Sequence, residues 1–477
     1  MEVAGKKVLI VGAGRSGVAS ARFLRERGAT VALNDRKDIE EWSQDARSLK
    51  EQNVGLLAGD VPTWLLDQVE LVVISPGVPT KSIPVRYADR AGAEVIGEIE
   101  LASRYIRGRL VAITGTNGKT TTTTLIGEIL KDAGLKVQVG GNIGTALISL
   151  VDSSTDDGWT VVEVSSFQLE TIKNFHPSVA LCLNVTPNHM DRYESVMDYA
   201  AAKHNIFRNQ TAEDVAILNA DDEVISSWAK GLRAHVVLFS VRRELEEGLF
   251  LRNGRELISR TSQGERVLIT RDEIMLRGLH NVENVLAAMA AGLACGASPA
   301  SMRETVRKFQ AVEHRLEFSG EIGGVKFIND SKATSVDATM KALEAISEEE
   351  GKIVLILGGR GKQAPYAPLA ELVREHARKL ILIGEDAGKI ETELKEFAEC
   401  ERADDMRDAV NRAYSAAQPG DTVLLAPACA SFDMFRSFEH RGQVFKEEVA
   451  SLQLSIFRGQ HLANYLKLKT DRKSSDE

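Results

Sequence analysis

The chain has 477 residues, with 68 acidic against 59 basic side chains and a formal net charge of -9. At about 100 to 200 residues per domain this length predicts two to four domains, and the acidic balance argues against general attraction to nucleic acid, so anionic ligands need local donors. Four cysteines at 182, 295, 400 and 429 lack C-x-x-C or metal-ligand spacing, as expected of reduced thiols in a cytoplasmic chain; no leader pattern is seen, and no apolar run approaches the ~20 residues of a membrane span.

Lys7 to Val11 reads as a buried strand, followed by Gly12-Ala13-Gly14-Arg15-Ser16-Gly17 and a helix over Val18 to Arg27. A second strand, Thr30 to Leu33, ends at Asn34-Asp35-Arg36. This strand, glycine turn, helix, strand and acid order is that of a nucleotide-binding βαβ unit, in which glycines allow close approach to a pyrophosphate and the acid can take ribose hydroxyls. The pattern alone does not distinguish NAD, and hence a dehydrogenase, from another nucleotide diphosphate. Val69 to Ile74, stopping at Ser75-Pro76-Gly77, predicts a further parallel strand, and the block is placed at residues 1–98.

The second block, 99–310, opens with a strand at Leu110 to Ile113, the loop Thr114-Gly115-Thr116-Asn117-Gly118-Lys119-Thr120 and a helix over Thr121 to Asp132. Consecutive loop N–H groups and a helix N-terminus can surround phosphate oxygens, Lys119 can reach the terminal phosphates, and the Thr120 hydroxyl can join a magnesium shell. Ile113 stands where a strict Walker A loop has its first glycine. Glu163, at the end of the strand Trp159 to Val164, suits a magnesium ligand or a helix-capping acid. His189 reads equally as a metal or phosphate ligand and as a surface histidine. Lys203, in the helical stretch Val196 to Phe207, reads by itself as a solvated lysine. Strands are expected at Val179 to Leu183, Val215 to Leu218 and Val236 to Phe239, a hairpin excursion over Glu244 to Ile274, and an Ala-rich helix through Leu286 to Ala294. Asn281 and Asn284, three apart on one helix face, suit an adenine edge or a helix start.

The third block, 311–455, repeats the α/β habit, with strands at Lys326 to Ile328, Ile353 to Leu357, Leu380 to Ile383 and Thr422 to Leu425, each ending in small or polar residues that leave room for a ligand. Arg315 and Lys332 offer positive charge to phosphoryl or carboxylate groups, or else form surface ion pairs. Lys362, Ser431 and Phe438 complete a candidate pocket for a small acid. Residues 456–477 turn basic and polar, the composition of a mobile tail.

From Gly12 to Arg441 these motifs resemble the Mur ligase family. The resemblance is carried by Thr-Gly-Thr-Asn-Gly-Lys-Thr at 114 to 120, Glu-Val-Ser-Ser-Phe-Gln-Leu-Glu at 163 to 170, Asn-His-Met-Asp-Arg-Tyr at 188 to 193, Asn-Asp-Ser-Lys-Ala-Thr at 329 to 334 and Pro-Ala-Cys-Ala-Ser-Phe-Asp at 427 to 433. It implies an α/β protein of three domains: Rossmann-like, central P-loop and Rossmann-like. It implies an ATP- and Mg2+-dependent ligase that adds an amino acid to a UDP-muramyl substrate through an acyl phosphate. The third-domain motifs look like those of members that add D-glutamate to UDP-N-acetylmuramoyl-L-alanine.

By that resemblance Gly14, Arg15, Ser16 and Gly17 lie along the UDP diphosphate, Asp35 and Arg36 face the uridine, and Asn142 lies near the muramyl group. ATP is held by Gly115, Thr116, Asn117, Gly118, Lys119, Thr120 and Thr121, with Asn281, Asn284, Arg315 and Asp330 at the sides. Thr120, Glu163, His189 and a carbamylated Lys203 serve magnesium. Lys332, Thr334, Lys362, Ser431 and Phe438 form the D-glutamate pocket. A monomer without nucleic acid or membrane partners is expected.

Overall fold

The computed structural model describes residues 1–473 apart from 143, 189, 191, 277, 311–312, 348–350 and 362–363, with side chains described to residue 456. They fall into two compact units: Met1–Thr186 with Tyr193–Met275 and Val282–Phe309, and Pro187–Arg192 with Leu276–Asn281 and Gln310–Glu477.

The first unit holds two sheets. β1 (Lys7–Val11), β2 (Thr30–Asp35), β3 (Gly55–Ala58), β4 (Leu71–Ile74) and β5 (Glu94–Gly97) form an all-parallel sheet in the order β3-β2-β1-β4-β5. Strands β1 and β4 read as unbroken apolar runs because helices cover both faces of a parallel sheet. The order reverses between β1 and β4, which opens a crevice at their carboxyl ends, where ligands of such sheets bind.

The second sheet contains β6 (Arg109–Thr114), β7 (Val137–Gly141), β8 (Trp159–Glu163), β9 (Val179–Cys182), β10 (Val215–Asn219), β11 (His235–Ser240), β12 (Gly248–Arg252), β13 (Glu256–Thr261) and β14 (Gly264–Thr270), in the order β14-β13-β12-β11-β10-β9-β6-β8-β7. The expected hairpin excursion is the antiparallel run β12 to β14, attached to the parallel part through β11. β6 lies centrally, between β8 and β9, so its loop has neighbours on both sides.

One apolar cluster joins the two sheets, running from Val8, Ile10 and Leu24 through Ile99 and Leu101 to Ala112 and Val162. The helix Glu98–Ser103 crosses this junction and carries two buried acids. The Glu100 carboxylate accepts the N–H groups of Lys173, Asn174 and Phe175 and the Arg104 Nε–H. These charge-assisted bonds compensate its burial.

In the second unit β15 (Glu317–Ile322), β16 (Val325–Asn329), β17 (Ile353–Gly358), β18 (Ala377–Ile383), β19 (Cys400–Arg402) and β20 (Thr422–Leu425) are ordered β15-β16-β20-β17-β18-β19. β15 is antiparallel to β16 and the rest pair in parallel. Apolar clusters cover both faces, one including Leu355, Leu357 and Leu424, the other Val354, Ile356 and Val423. Adjacent strand residues thus point into opposite layers, as the period of two requires. The last helix runs Phe438–Lys473, so helix continues through most of the segment whose composition suggested a tail; residues 474–477 lie outside the described part.

Candidate active site

The first glycine loop leaves β1 and enters the helix Arg15–Glu26. A Cβ on Gly17 would stand 1.9 Å from the Gly12 carbonyl oxygen, so only glycine lets the helix start this close to the strand end. Ser75, after β4, donates its hydroxyl to Gly12 O at 3.0 Å. The Asp35 carboxylate accepts the Ala13 N–H at 2.8 Å and the Lys37 N–H at 3.1 Å. The acid thus already shapes the loop. Beside it lies a cavity of about 570 Å³ whose wall includes Gly14, Arg15, Ser16, Asp35, Arg36 and Asn142. Gly17 is buried beneath that wall. The cavity is long enough in polar donors, and open enough, for a ligand carrying a diphosphate.

The central loop leaves β6 and enters the helix Lys119–Asp132 through Gly118 at φ 79°. A Cβ there would meet Asn284 Oδ1 at 2.1 Å, so this turn is closed to other residues both by its backbone and by its neighbour. The loop is braced by the strand-end segment after β9: Thr116 N–H donates to Asn184 O at 2.9 Å and Asn117 N–H to Asn184 Oδ1 at 2.8 Å. The Lys119 ammonium donates to Gly115 O at 2.9 Å and Thr116 O at 2.8 Å, which curls it over the loop.

Glu163, 2% exposed, ends β8 with both oxygens engaged. Oε2 accepts the Thr120 hydroxyl at 2.8 Å and Oε1 the Asn142 amide at 2.8 Å. The capping alternative for this acid fails, because Ser165 caps the following helix Ser166–Leu169. Glu163 therefore joins the loop hydroxyl to the rim of the first cavity.

Lys203 corrects the sequence reading most sharply. It is 1% exposed, not solvated, and donates to Gly115 O at 2.7 Å, beside the Tyr199 ring at 4.3 Å. The small Ala200 and Ala202 are buried beside it on the helix Val196–His204, which lets that helix pack closely enough to bury the side chain. Burial first, and the charge of Lys119 second, hold the Lys203 amine well below the usual lysine range. Two lysines thus aim at one carbonyl, the deeper of them in surroundings that disfavour its charged form.

Thr121 is buried, its hydroxyl without a hydrogen-bond partner among the described residues. Asn284 Oδ1 accepts the Thr122 hydroxyl at 3.3 Å, which ties the helix Leu279–Ala294 to the loop helix. Asn281 lies one turn earlier on that helix and is 6% exposed. His189 lies outside the described residues. Glu163 and the Thr120 hydroxyl are hard oxygen donors that suit a magnesium ion; among the described residues no cluster of three His, Cys, Asp or Glu side chains adds to them.

In the second unit the loops after β16, β17 and β20 emerge side by side at the carboxyl edge. Asp330 is buried, and desolvation pushes its carboxyl up to about 6 against the opposing charge of Arg315. The Arg315 Nε is buried without a hydrogen-bond partner among the described residues. Lys332 Nζ stands 5.3 Å from the centroid of the Phe438 ring. Thr334 N–H donates to Lys332 O, which curves this segment back on itself, and Ser431 is 2% exposed. Lys362 lies outside the described residues.

Sequence reasoning missed the groups that hold these loops. Arg441, 0% exposed, donates to Ser331 Oγ, Ser331 O and Cys429 O and so pins the β16 and β20 loops together. Asn184 and Ser75 do the same for the two glycine loops. For Ser75 and Asn184 a polar residue just past an apolar strand was the available signal, but it does not say which loop it serves; Arg441 lies on the last helix, away from any strand end.

Three family models match the chain: Mur ligase MurD-like, N-terminal domain, at residues 6–97, Mur ligase middle domain at 113–292, and Mur ligase, glutamate ligase domain, at 314–429. UDP-N-acetylmuramoylalanine--D-glutamate ligase of Koribacter versatilis (strain Ellin345) is 47% identical over 452 residues, 95% of this chain and 99% of that protein. The protein of the same name from Pelotomaculum thermopropionicum (strain DSM 13744 / JCM 10971 / SI) is 48% identical over 451 residues, 94% of this chain and 98% of its own length. Among solved structures, UDP-N-acetylmuramate-alanine ligase MurC from Thermotoga maritima shares the fold at TM-score 0.57 and 20% identity, over 93% of this chain and 99% of that one.

Proposed function

The chain belongs to the Mur ligase family, and from that premise we propose that it joins D-glutamate to UDP-N-acetylmuramoyl-L-alanine with ATP, a step in making the peptidoglycan precursor. Relatives bearing that activity in their names align over nearly the whole chain. The observation that carries the reading to chemistry is the convergence of Lys119, Lys203, Thr120 and Glu163 about the Gly115 loop, next to a separate cavity built for a diphosphate.

In this reading residues 1–98 hold the UDP substrate, 99–310 hold ATP and 311–455 hold D-glutamate, in a cytoplasmic monomer. No helix among the described residues is long and apolar enough to cross a membrane. Gly14, Arg15, Ser16 and Gly17 lie along the diphosphate, and Asp35, which also holds the loop in shape, faces the uridine with Arg36. The loop from Gly115 to Thr121 takes the ATP phosphates, and Asn281, Asn284, Arg315 and Asp330 serve adenine, phosphate and ribose from the sides.

The L-alanyl carboxylate attacks the γ-phosphorus of ATP, the bond to the bridging oxygen of ADP breaks, and an acyl phosphate forms. The D-glutamate amine then adds to the acyl carbon, loses a proton, and phosphate leaves. Lys119, released from its loop carbonyls by the incoming nucleotide, balances charge on the transferring phosphoryl, a task in which positioned charge supplies most of the catalysis. Magnesium, when bound, would neutralise phosphate charge; Thr120, Glu163, His189 and a carbamylated Lys203 would hold it. In its neutral form the Lys203 amine adds CO2, forming an N–C bond and releasing one proton, so that a buried amine becomes an oxygen-bearing anion. Lys332, Thr334, Lys362, Ser431 and Phe438 orient D-glutamate, the lysines facing its carboxylates.

ADP release should require the UDP-muramyl substrate and be faster with D-glutamate than with L-glutamate, L-alanine or meso-diaminopimelate. Faster turnover with another of these amines would overturn the assignment.

A further inference from the structure

The segment carrying Asn142, Gly144 and Ala146 lines the 570 Å³ cavity opposite the first glycine loop. Its start is held by Glu163, whose backbone oxygen accepts the Asn142 N–H at 2.9 Å and whose side chain accepts the Asn142 amide at 2.8 Å. Within it Gly141 N–H donates to Thr145 O at 2.8 Å. It then enters a single 3₁₀ turn, Leu147–Leu150, whose first residues are buried and whose own N-cap position, Ala146, offers no side-chain acceptor.

The first N–H groups of such a turn have no partner inside it. Here the acceptor comes from a distant element. Glu98, the first residue of the helix that joins the two sheets, accepts the Ile148 N–H on Oε1 at 2.7 Å, and the Leu147 N–H also points at this carboxyl. Glu98 is 2% exposed, and its Oε2 is buried with no hydrogen-bond partner among the described residues. An apolar side chain would fill the same space without the desolvation cost of a carboxyl, so packing alone does not account for an acid here. The turn also packs against the helix Arg15–Glu26 that follows the glycine loop. Any slip of the turn would therefore move the Asn142 wall relative to the Arg15 wall.

We propose that Glu98 is a positioning residue for the UDP-muramyl substrate: by capping the turn at Leu147 and Ile148 it fixes the far end of the Asn142 segment, as Glu163 fixes the near end. The substrate's identity rests on the function proposed above; the clamp itself does not. Glu98 touches no ligand and acts only through the segment it holds.

The test compares Glu98→Met, which keeps the volume but offers only a weak sulfur acceptor, with Glu98→Gln, which keeps an oxygen acceptor. Calorimetric titration with UDP-N-acetylmuramoyl-L-alanine should show affinity reduced about tenfold in Glu98→Met and within about twofold of wild type in Glu98→Gln, the loss expected for one buried hydrogen bond. ATP affinity should be the same in all three. Equal substrate affinity in all three, or equal losses in both variants, would overturn the positioning role. Amide exchange of the ligand-free chain at residues 144–148 reads the clamp without any substrate: faster exchange in Glu98→Met alone is expected, and identical exchange in all three removes the clamp. A wild-type chain that shows the exchange difference from Glu98→Met but does not bind the UDP-muramyl compound keeps the clamp and overturns the function proposed for the cavity.

Discussion

Gly12–Gly17 and Gly115–Thr120 each leave the carboxyl end of a central parallel strand and run into a helix N-terminus, yet different groups surround them. The first loop is shaped by the Ser75 hydroxyl and by an Asp35 carboxylate already occupied with backbone N–H groups, and it opens onto a broad cavity. Buried Glu163 and two lysines aimed at one carbonyl oxygen surround the second. A loop that only holds a diphosphate needs donors and shape. Where charge develops during reaction, buried ionisable groups tuned by their surroundings are needed as well.

The sharpest break of this comparison is Lys119→Ala, which should lower turnover by about 10³-fold or more, the scale of removing a charge-stabilising donor. UDP-substrate binding, measured by calorimetry, should stay at the wild-type level, because that ligand uses the other loop. Near-normal turnover would mean that the second loop is no more chemical than the first.

Lys203→Ala should cost about 10²-fold in turnover while leaving the protein folded. Formate or acetate at high concentration should restore part of the loss by supplying the missing oxygen. Carbon-13 NMR after exposure to labelled CO2 should show a carbamate signal in the wild type that is absent from this variant. Full activity in Lys203→Ala would leave its burial without a catalytic use.

Asp35→Ala removes the acceptor of the Ala13 and Lys37 N–H groups and should raise KM for the UDP substrate about tenfold, with KM for ATP unchanged. Equal rises in both constants would show that the two loops are not independent.

The smallest effect expected concerns Glu98, which lies at the junction of the two sheets. Burial pushes its carboxyl up to about 7 from the ordinary 4.5. Between those values the folded chain keeps a proton that the unfolded chain has lost, so this group's contribution to stability is complete below the unfolded value and declines as pH rises through the window. Glu98→Gln stays neutral throughout. Its Tm relative to wild type should therefore rise by a few degrees between about pH 5 and pH 8; a pH-independent difference would show that Glu98 is ionised in the folded chain.

Parts of this architecture were readable from local pattern. Strands buried on both faces, such as Lys7–Val11 and Thr422–Leu425, appear as apolar runs with the same bounds in sequence and structure. Gly55–Ala58, Val137–Gly141 and Cys400–Arg402 escaped notice because they are short, half-exposed or rich in glycine and polar residues. β15 escaped because glycine and a bulge between Phe318 and Gly320 interrupt its alternation.

By itself the sequence determined the glycine loops, the central strands and the order of the α/β blocks, because each rests on interactions within a few neighbouring residues: backbone freedom at glycine, continuous burial of a strand, a helix start. Tertiary structure alone decided where the charges lie. Lys203 reads as exposed until a helix of small residues buries it against Gly115, 88 positions away. Glu98 carries no signal in the sequence, and only the fold brings Ile148, 50 positions on, to point its N–H at it. The ionisation of both depends on what surrounds them in space, since desolvation and partner charges fall off with distance through the fold and not along the chain.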